Sequence, residues 1–377
     1  MSESESLSTK VAEHYNKKDV TDLAARSKSR IYYLRNFNNW IKSVLINEYL
    51  ARRRLINKDN LSVLDLGCGR GGDVLKWQKG KVNRVTFADI AENSLEECKS
   101  RCSKYPNLET LFVQIDATTE LLNDKVENIQ LHDLVSSQFV IHYSFESFHQ
   151  ADTFLKNVSD SLKPGGYFIG TTTNAFEVIK RLRESDTNYF GNEIYRIEFC
   201  QEDKENFDLF GVKFNFKLEG VVECPEFLVN FEALIRIAKR HGLKLIFKKS
   251  FNEFFDEFCN RPDYKQLIQI MQALEPYYPA DLADDTSNRI EGDYELIESK
   301  LEDDAFKQDL EHEETYATLS KSEWEAITLY IAFAFEKEIP EEENLEKVAE
   351  NLRPKDLSLS DTETESEDEI NRKKSKQ

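Results

Sequence analysis

The stretch VLDLGCGRGGDVLKW, residues 63–77, places four glycines within six positions, between an apolar run and a renewed apolar pattern. Glycine loses more backbone freedom on folding than any other residue. It concentrates where the chain turns through positive φ or must approach something closely. A short apolar run that opens into such a loop and then a helix predicts a buried strand whose following N–H groups face a ligand. The alternation repeats downstream. RVTFADI, LFVQIDA, DLVSSQF and YFIGTT read as further strands. DVLKWQKG, SLEECKSRCSKY and FLKNVSDSLK read as the helices between them, the last stopping at Pro164-Gly165-Gly166. Short apolar strands alternating with helices predict an α/β fold, a parallel sheet flanked by helices.

Ahead of the sheet, Ile31, Leu34, Phe37, Ile41, Val44, Leu45, Tyr49 and Leu50 recur at helical spacing, so residues 11–58 read as a helical segment. After Thr173 the pattern changes. YRIEF, VKFNFKLEG and KLIFKK read as strands, FLVNFEALIRIAKRHG as an intervening helix, and WEAITLYIAFAFEK as a helix-to-strand unit. The organisation expected is one domain over 11–337, with a ligand-binding core at 60–175 and further elements at 176–337 that include an acidic, loop-rich insertion at 275–316. The polar ends, 1–10 and 338–377, read as disordered.

Charge is unevenly spread. The net charge is −20, yet residues 281–314 hold 14 acids and 3 bases, and residues 341–377 hold 12 acids and 7 bases. Residues 17–58 carry 11 bases and 3 acids, so a phosphate-bearing partner such as RNA is not excluded by the sum. No run of about 18 apolar residues is present, so no membrane partner is expected. The polar, acidic start MSESESLSTK is unlike a secretory signal. Six cysteines without a CxxC pair suggest reduced thiols in a cytosolic or nuclear protein rather than a zinc site.

The spacing G67-C-G69-R-G71-G72 serves both dinucleotides and S-adenosylmethionine. So does Asp89, which ends the second strand 22 residues past Gly67, where a carboxylate accepts ribose hydroxyls. Three features favour S-adenosylmethionine, with a nicotinamide dinucleotide as the alternative. Asp65 lies inside the first strand, and Asp116 ends the third strand, within reach of an adenine amine. LKPGGYFIG is a helix-turn-strand entry common in class I methyltransferases. The chain lacks the Asn/Asp-Pro-Pro-Tyr/Phe stretch of many amine methyltransferases. In its place SSQFVIHYSFES offers Gln138, His142 and Tyr143, which read equally as ordinary core and surface residues.

At these residues the chain closely resembles eukaryotic mRNA cap guanine-N7 methyltransferases. The matching stretches include VAEHYN, SRIYYLRNFNNWIKSVLI, VLDLGCGRGGDVLKW, SSQFVIHYSFES, LKPGGYFIGTTTN, FGNEIY, LFGVKFNFKLEGVVECPEFLVNF, MQALEPY and LSKSEWEAITLYIAFAFEK, in family order from about 11 to 337. The resemblance implies a Rossmann-like class I methyltransferase sheet with a cap-binding side. It implies S-adenosylmethionine contacts at Lys42, Gly67, Asp89, Asp116, Gln138 and Tyr143. It implies cap contacts at Asn38, Asn39, Arg70, Lys76, Arg101, His142, Glu226 and Tyr330. The family more often has Lys at Arg70 and Pro at Thr173. GpppN-capped RNA is the implied substrate, and nuclear residence, a small activating subunit and the RNA polymerase II or capping machinery the implied setting for a monomeric catalytic chain. No general base or metal is implied, because guanine N7 carries no proton. Without the resemblance, Lys76 and Arg101 read equally as solvated helix faces, Glu226 as a helix-start acid, Asn39 as a helix-surface amide and His142 as a satisfied core histidine. A cap- or RNA-binding protein without turnover, and a methyltransferase for another acceptor, are the competing readings.

Overall fold

The apolar positions from Ile31 to Leu50 fall on the buried side of one long helix, α1 (Tyr32–Ile56), in a computed structural model of the chain. The structure describes residues 11–13, 16, 29–58, 60–127, 129–277, 292–302 and 316–340. Residues 1–10, the tail beyond 340 and most of the acidic insertion lie outside the described residues.

The predicted alternation is present. It runs β1 (Ser62–Leu66), α2 (Val74–Lys79), β2 (Arg84–Asp89), α3 (Glu92–Cys102), β3 (Glu109–Gln114), a short α4 (Leu122–Lys125) and β4 (His132–Gln138). A 3₁₀ turn at Ile141–Glu146, α5 (Phe148–Asp160) and β5 (Leu162–Thr173) follow. Then come α6 (Ala175–Glu184), β6 (Tyr189–Gly191), β7 (Tyr195–Phe199), β8 (Lys213–Leu218), β9 (Val222–Phe227), α7 (Phe231–Arg240) and β10 (Leu243–Ser250). The chain continues through α8 (Phe251–Phe258), α9 (Pro262–Met271), β11 (Glu275–Tyr277), α10 (Glu295–Glu302), β12 (Tyr316–Thr318), α11 (Lys321–Ile327) and β13 (Tyr330–Lys337).

Seven strands form the main sheet in the order β10-β13-β5-β4-β1-β2-β3. β5, β4, β1, β2 and β3 are mutually parallel, and β13 inserts antiparallel between β5 and β10. Each face is buried. Trp40, Tyr49 and Trp77 belong to the apolar cluster on one side, and Phe154, Leu155, Phe231 and Leu234 to that on the other. A separate antiparallel sheet, β6-β7-β8-β9, packs its Phe216 ring 6.5 Å from Tyr330 of β13. No helix among the described residues is long and apolar enough to cross a membrane.

Two expectations differ. Pro164-Gly165-Gly166 marks a stop between helix and strand in the sequence, yet α5 ends at Asp160 and pairing begins at Leu162, opposite His132. The register then shifts before Leu134 meets Tyr167, so the proline, which has no N–H to give, sits in the irregularity. β9 is a strand that the sequence reading does not include, and VECPEF carries two acids and a proline. Pairing with β8 makes it a strand, with Phe214 opposite Glu226 and Phe216 opposite Cys224. At the end of the sheet remote from the strand C-termini, buried Arg53 of α1 donates to Asp133 at 2.9 Å and to the Gly165 carbonyl at 2.8 Å.

Candidate active site

The strand order reverses between β1 and β4, and the loops leaving the C-terminal ends of neighbouring strands part there, where open α/β sheets hold ligands. A cavity of about 530 Å³ opens at that point, a volume suited to a small-molecule ligand. Gly67 enters its wall at φ +77°, with its N–H donating to the Ala88 carbonyl at 2.8 Å. A Cβ there would lie 2.5 Å from a Val140 methyl, so only glycine fits. Asp89, at the end of β2, accepts from the Gly69 N–H at 2.7 Å and from the Ala91 N–H at 2.9 Å. Loss of hydration pushes the Asp89 carboxyl above its ordinary value in spite of those two donors. Asp116 follows β3 and accepts from the Thr118 N–H at 3.0 Å and hydroxyl at 2.7 Å. Gln138 closes β4, its carbonyl accepting from Thr171 at 3.2 Å.

Four cations at or beside the cavity, Lys42, Lys76, Arg70 and Arg101, are held by acids. Lys42 of α1 lies 2.9 Å from Asp73, and Lys76 of α2 lies 2.6 Å from the same carboxylate and 3.2 Å from Asn39. Burial alone would raise the Asp73 carboxyl, but the two ammonium groups outweigh it and hold it well below the carboxylate range. Asp65, by contrast, is pushed up by burial and by nearby Asp73, against a 2.9 Å hydrogen bond from the Trp77 indole. Arg70 and Arg101 flank one carboxylate, Glu97, at 2.8 and 3.7 Å.

Beside the cavity lies a second group. Glu226 and His142 are both buried, 3.6 Å apart, too far for a hydrogen bond. Glu226 Oε2 and both imidazole nitrogens lack a hydrogen-bond partner among the described residues. Burial pushes the Glu226 carboxyl up to about 8 and the His142 imidazole down to about 3. Tyr143 joins the two regions, since it lines the cavity and its hydroxyl lies 3.3 Å from the Cys224 thiol on β9. Tyr330 places its ring 5.0 Å from Phe139 and 5.5 Å from Phe251.

Of the fourteen residues singled out in the sequence, the cavity is lined by Asn39, Lys42, Gly67, Arg70, Asp89, Arg101, Asp116, Gln138 and Tyr143. Asn38, Lys76, His142, Glu226 and Tyr330 lie outside its lining. Three of the plainer readings fall. Lys76 is 12% exposed and pinned rather than solvated. Glu226 is in a strand, not at a helix start. His142 has no hydrogen-bond partner among the described residues.

Asp73 and Arg35 also line the cavity and were not singled out. Asp73 precedes α2 and reads in sequence as a helix-capping acid, yet it makes no cap bond and faces the lysines instead. Arg35 was legible, because it shares a helical stripe with Asn39 and Lys42 at i, i+4 and i+7.

A sheet with this strand order, a glycine loop after β1 and carboxylates at the ends of β2 and β3 defines a class I S-adenosylmethionine-dependent methyltransferase. The glycines put bare backbone on the cavity wall, with Gly67 wedged against Val140, and the carboxylates suit ribose and adenine, so the residues fit that cofactor. Residues 1–338 match the mRNA (guanine-N(7))-methyltransferase domain, and the chain belongs to that family of enzymes. It is 41% identical over 343 residues to an mRNA cap guanine-N(7) methyltransferase of Drosophila melanogaster, across 87% of this chain and 76% of that one. A protein of the same description from Caenorhabditis elegans is 38% identical over 356 residues, covering 92% and 91% of the two chains. The mRNA cap guanine-N(7) methyltransferase 1 of Oryza sativa is 35% identical over 348 residues, covering 89% and 83%.

Proposed function

We propose that the chain methylates N7 of the terminal guanosine of GpppN-capped RNA by positioning and electrostatics, with no residue acting as a general base. The observation that carries this reading is the buried Glu226–His142 pair, whose unpartnered polar atoms stand beside the cofactor cavity and are tied to it through Tyr143. S-adenosylmethionine, when bound, supplies an electrophilic methyl on a sulfonium.

The chain's residues do the rest. Asp89 holds the ribose, Asp116 the adenine edge and Lys42 the methionine carboxylate, with Gly67 letting the backbone close on the ligand. Gln138 and Tyr143 border the methyl. Glu226 accepts from the guanine N1–H and exocyclic amine. As the purine gains positive charge, the carboxylate form is increasingly favoured, a term that grows toward the transition state. Tyr330 forms an aromatic wall and His142 a polar one. Arg70, Lys76 and Arg101, with Asn38 and Asn39 beside them, meet the triphosphate end. N7 carries a lone pair and no proton, so aligning it with the methyl carbon and the sulfur is the main task.

The catalytic chain acts as a monomer in the nucleus, with a small activating subunit and contacts to the RNA polymerase II or capping machinery. The basic run NRKKSK at 371–376, outside the described residues, is assigned to import on sequence alone. The acidic run 281–314 is assigned to docking or regulation, and unchanged turnover and partner binding after its deletion would remove that assignment.

The deciding experiment transfers labelled methyl from S-adenosylmethionine to RNA ending in GpppG, followed by nuclease release of the cap. Label in m7GpppG that disappears with Glu226→Ala or Asp89→Ala is the expected result. Cofactor binding with label in another acceptor would overturn the substrate, and no cofactor binding would overturn the site.

A further inference from the structure

Glu226 and His142 are not alone in lacking partners. Thr173, the last residue of β5, is 2% exposed, and its hydroxyl has no hydrogen-bond partner among the described residues. Its place is set by pairing. The Asn174 N–H donates to the Leu329 carbonyl at 2.6 Å, which makes the next pair, Thr173 and Tyr330, the closely spaced kind whose side chains share a face. Tyr330 meets Phe216 of β8, Phe216 pairs with Cys224 of β9, and Cys224 meets the Tyr143 hydroxyl. The Thr173 side chain therefore shares a face with Tyr330, which connects through Phe216 and Cys224 to Tyr143, the neighbour of the Glu226–His142 pair.

A buried hydroxyl left without a partner is unfavourable, and valine would fill the same volume without that penalty. An unpartnered buried hydroxyl is a cost to folding of the kind that functional sites carry. We infer that the Thr173 hydroxyl hydrogen-bonds the purine at the capped end of the RNA, as a third polar contact beside Glu226 and His142 and a determinant of cap affinity. This rests on the reading of that wall as the purine site.

The test compares wild type, Thr173→Val and Thr173→Ser. Four quantities are measured: KM and kcat for GpppG-ended RNA, the calorimetric Kd for S-adenosylhomocysteine, and Tm. The expected result for Thr173→Val is a three- to tenfold rise in KM for capped RNA, the range of one neutral hydrogen bond. Its cofactor Kd stays at the wild-type value, its Tm is equal or higher, and Thr173→Ser keeps the wild-type KM. An active wild type with a Thr173→Val KM within twofold overturns the contact alone. So does a fall in Tm accompanied by weaker binding of both ligands, which marks a structural hydroxyl. A wild type that transfers no methyl to the cap overturns the purine-site reading, and this contact with it.

Discussion

Substituting alanine along the glycine loop separates backbone strain from steric collision, because the three positions differ in both. Gly67 has φ +77°, and an added Cβ would sit 2.5 and 2.7 Å from the two Val140 methyls. Rotating Val140 brings no relief, since two methyls distributed over three staggered positions always leave one in a contacting position. Left-handed backbone costs a non-glycine residue roughly 1–2 kcal/mol, and overpacking roughly 1–3 kcal/mol more. Gly67→Ala is therefore expected to destabilise by about 2–5 kcal/mol and to abolish cofactor binding. Gly69 has φ +51° but open space around the new Cβ, so Gly69→Ala should show the strain alone, about 1–2 kcal/mol. Gly72 has neither feature, and Gly72→Ala should be neutral or stabilising by up to ~1 kcal/mol. Adding Val140→Ala to Gly67→Ala should recover the collision and leave the strain. Urea denaturation gives the stabilities, and calorimetric titration with S-adenosylhomocysteine gives the affinities. A Gly67→Ala protein losing less than about 1 kcal/mol, or a Gly72→Ala protein losing as much as Gly67→Ala, would refute the reasoning.

Other residues give independent checks. Burial raises Glu226 from 4.5 to about 8 in the folded protein, so the folded state keeps a proton that the unfolded chain has released. Its contribution to stability is full below about 4.5 and is lost as pH rises through about 8. Glu226→Gln should flatten the fall of Tm between those values, and an unchanged slope would show that Glu226 is ionised in the free protein. Arg53→Ala strands the buried Asp133 carboxylate, which keeps only Lys163 at 2.8 Å as a charged partner. A loss of about 3–5 kcal/mol in urea is expected, with KM for both ligands unchanged, because the pair lies at the opposite end of the sheet. Asp89→Asn keeps the shape of the side chain but loses its charge on the ribose and its double acceptance from Gly69 and Ala91. Cofactor affinity should drop about tenfold or more by calorimetry, the scale of charged hydrogen bonds. An affinity within twofold of wild type would remove Asp89 from the ribose.

Much of the cofactor end was legible because its signals are local. The glycine loop, the apolar strands and the acids that end them repeat with short periods, and buried parallel strands must read that way to fill both faces of the sheet. α1 was equally plain, since one side of a long helix either carries apolar residues at helical spacing or stays exposed. The cap side was different. Local pattern left Glu226 as readable as a helix-start acid, and only the family resemblance pointed to it. β9 carries no strand signal of its own, and pairing with β8 makes it one. Asp73 looked like a helix cap until α1 and α2 brought Lys42 and Lys76 to it.

The sequence by itself determined the five parallel strands, the ligand loop and the chemistry of its carboxylates, because backbone freedom and hydrophobic periodicity are properties of neighbouring residues. Tertiary structure alone decided which polar groups are stripped of water together. The raised carboxyl of Glu226, the neutral His142 beside it and the Thr173 hydroxyl, which has no partner among the described residues, follow from what covers them, and desolvation is set by the whole fold rather than by any segment.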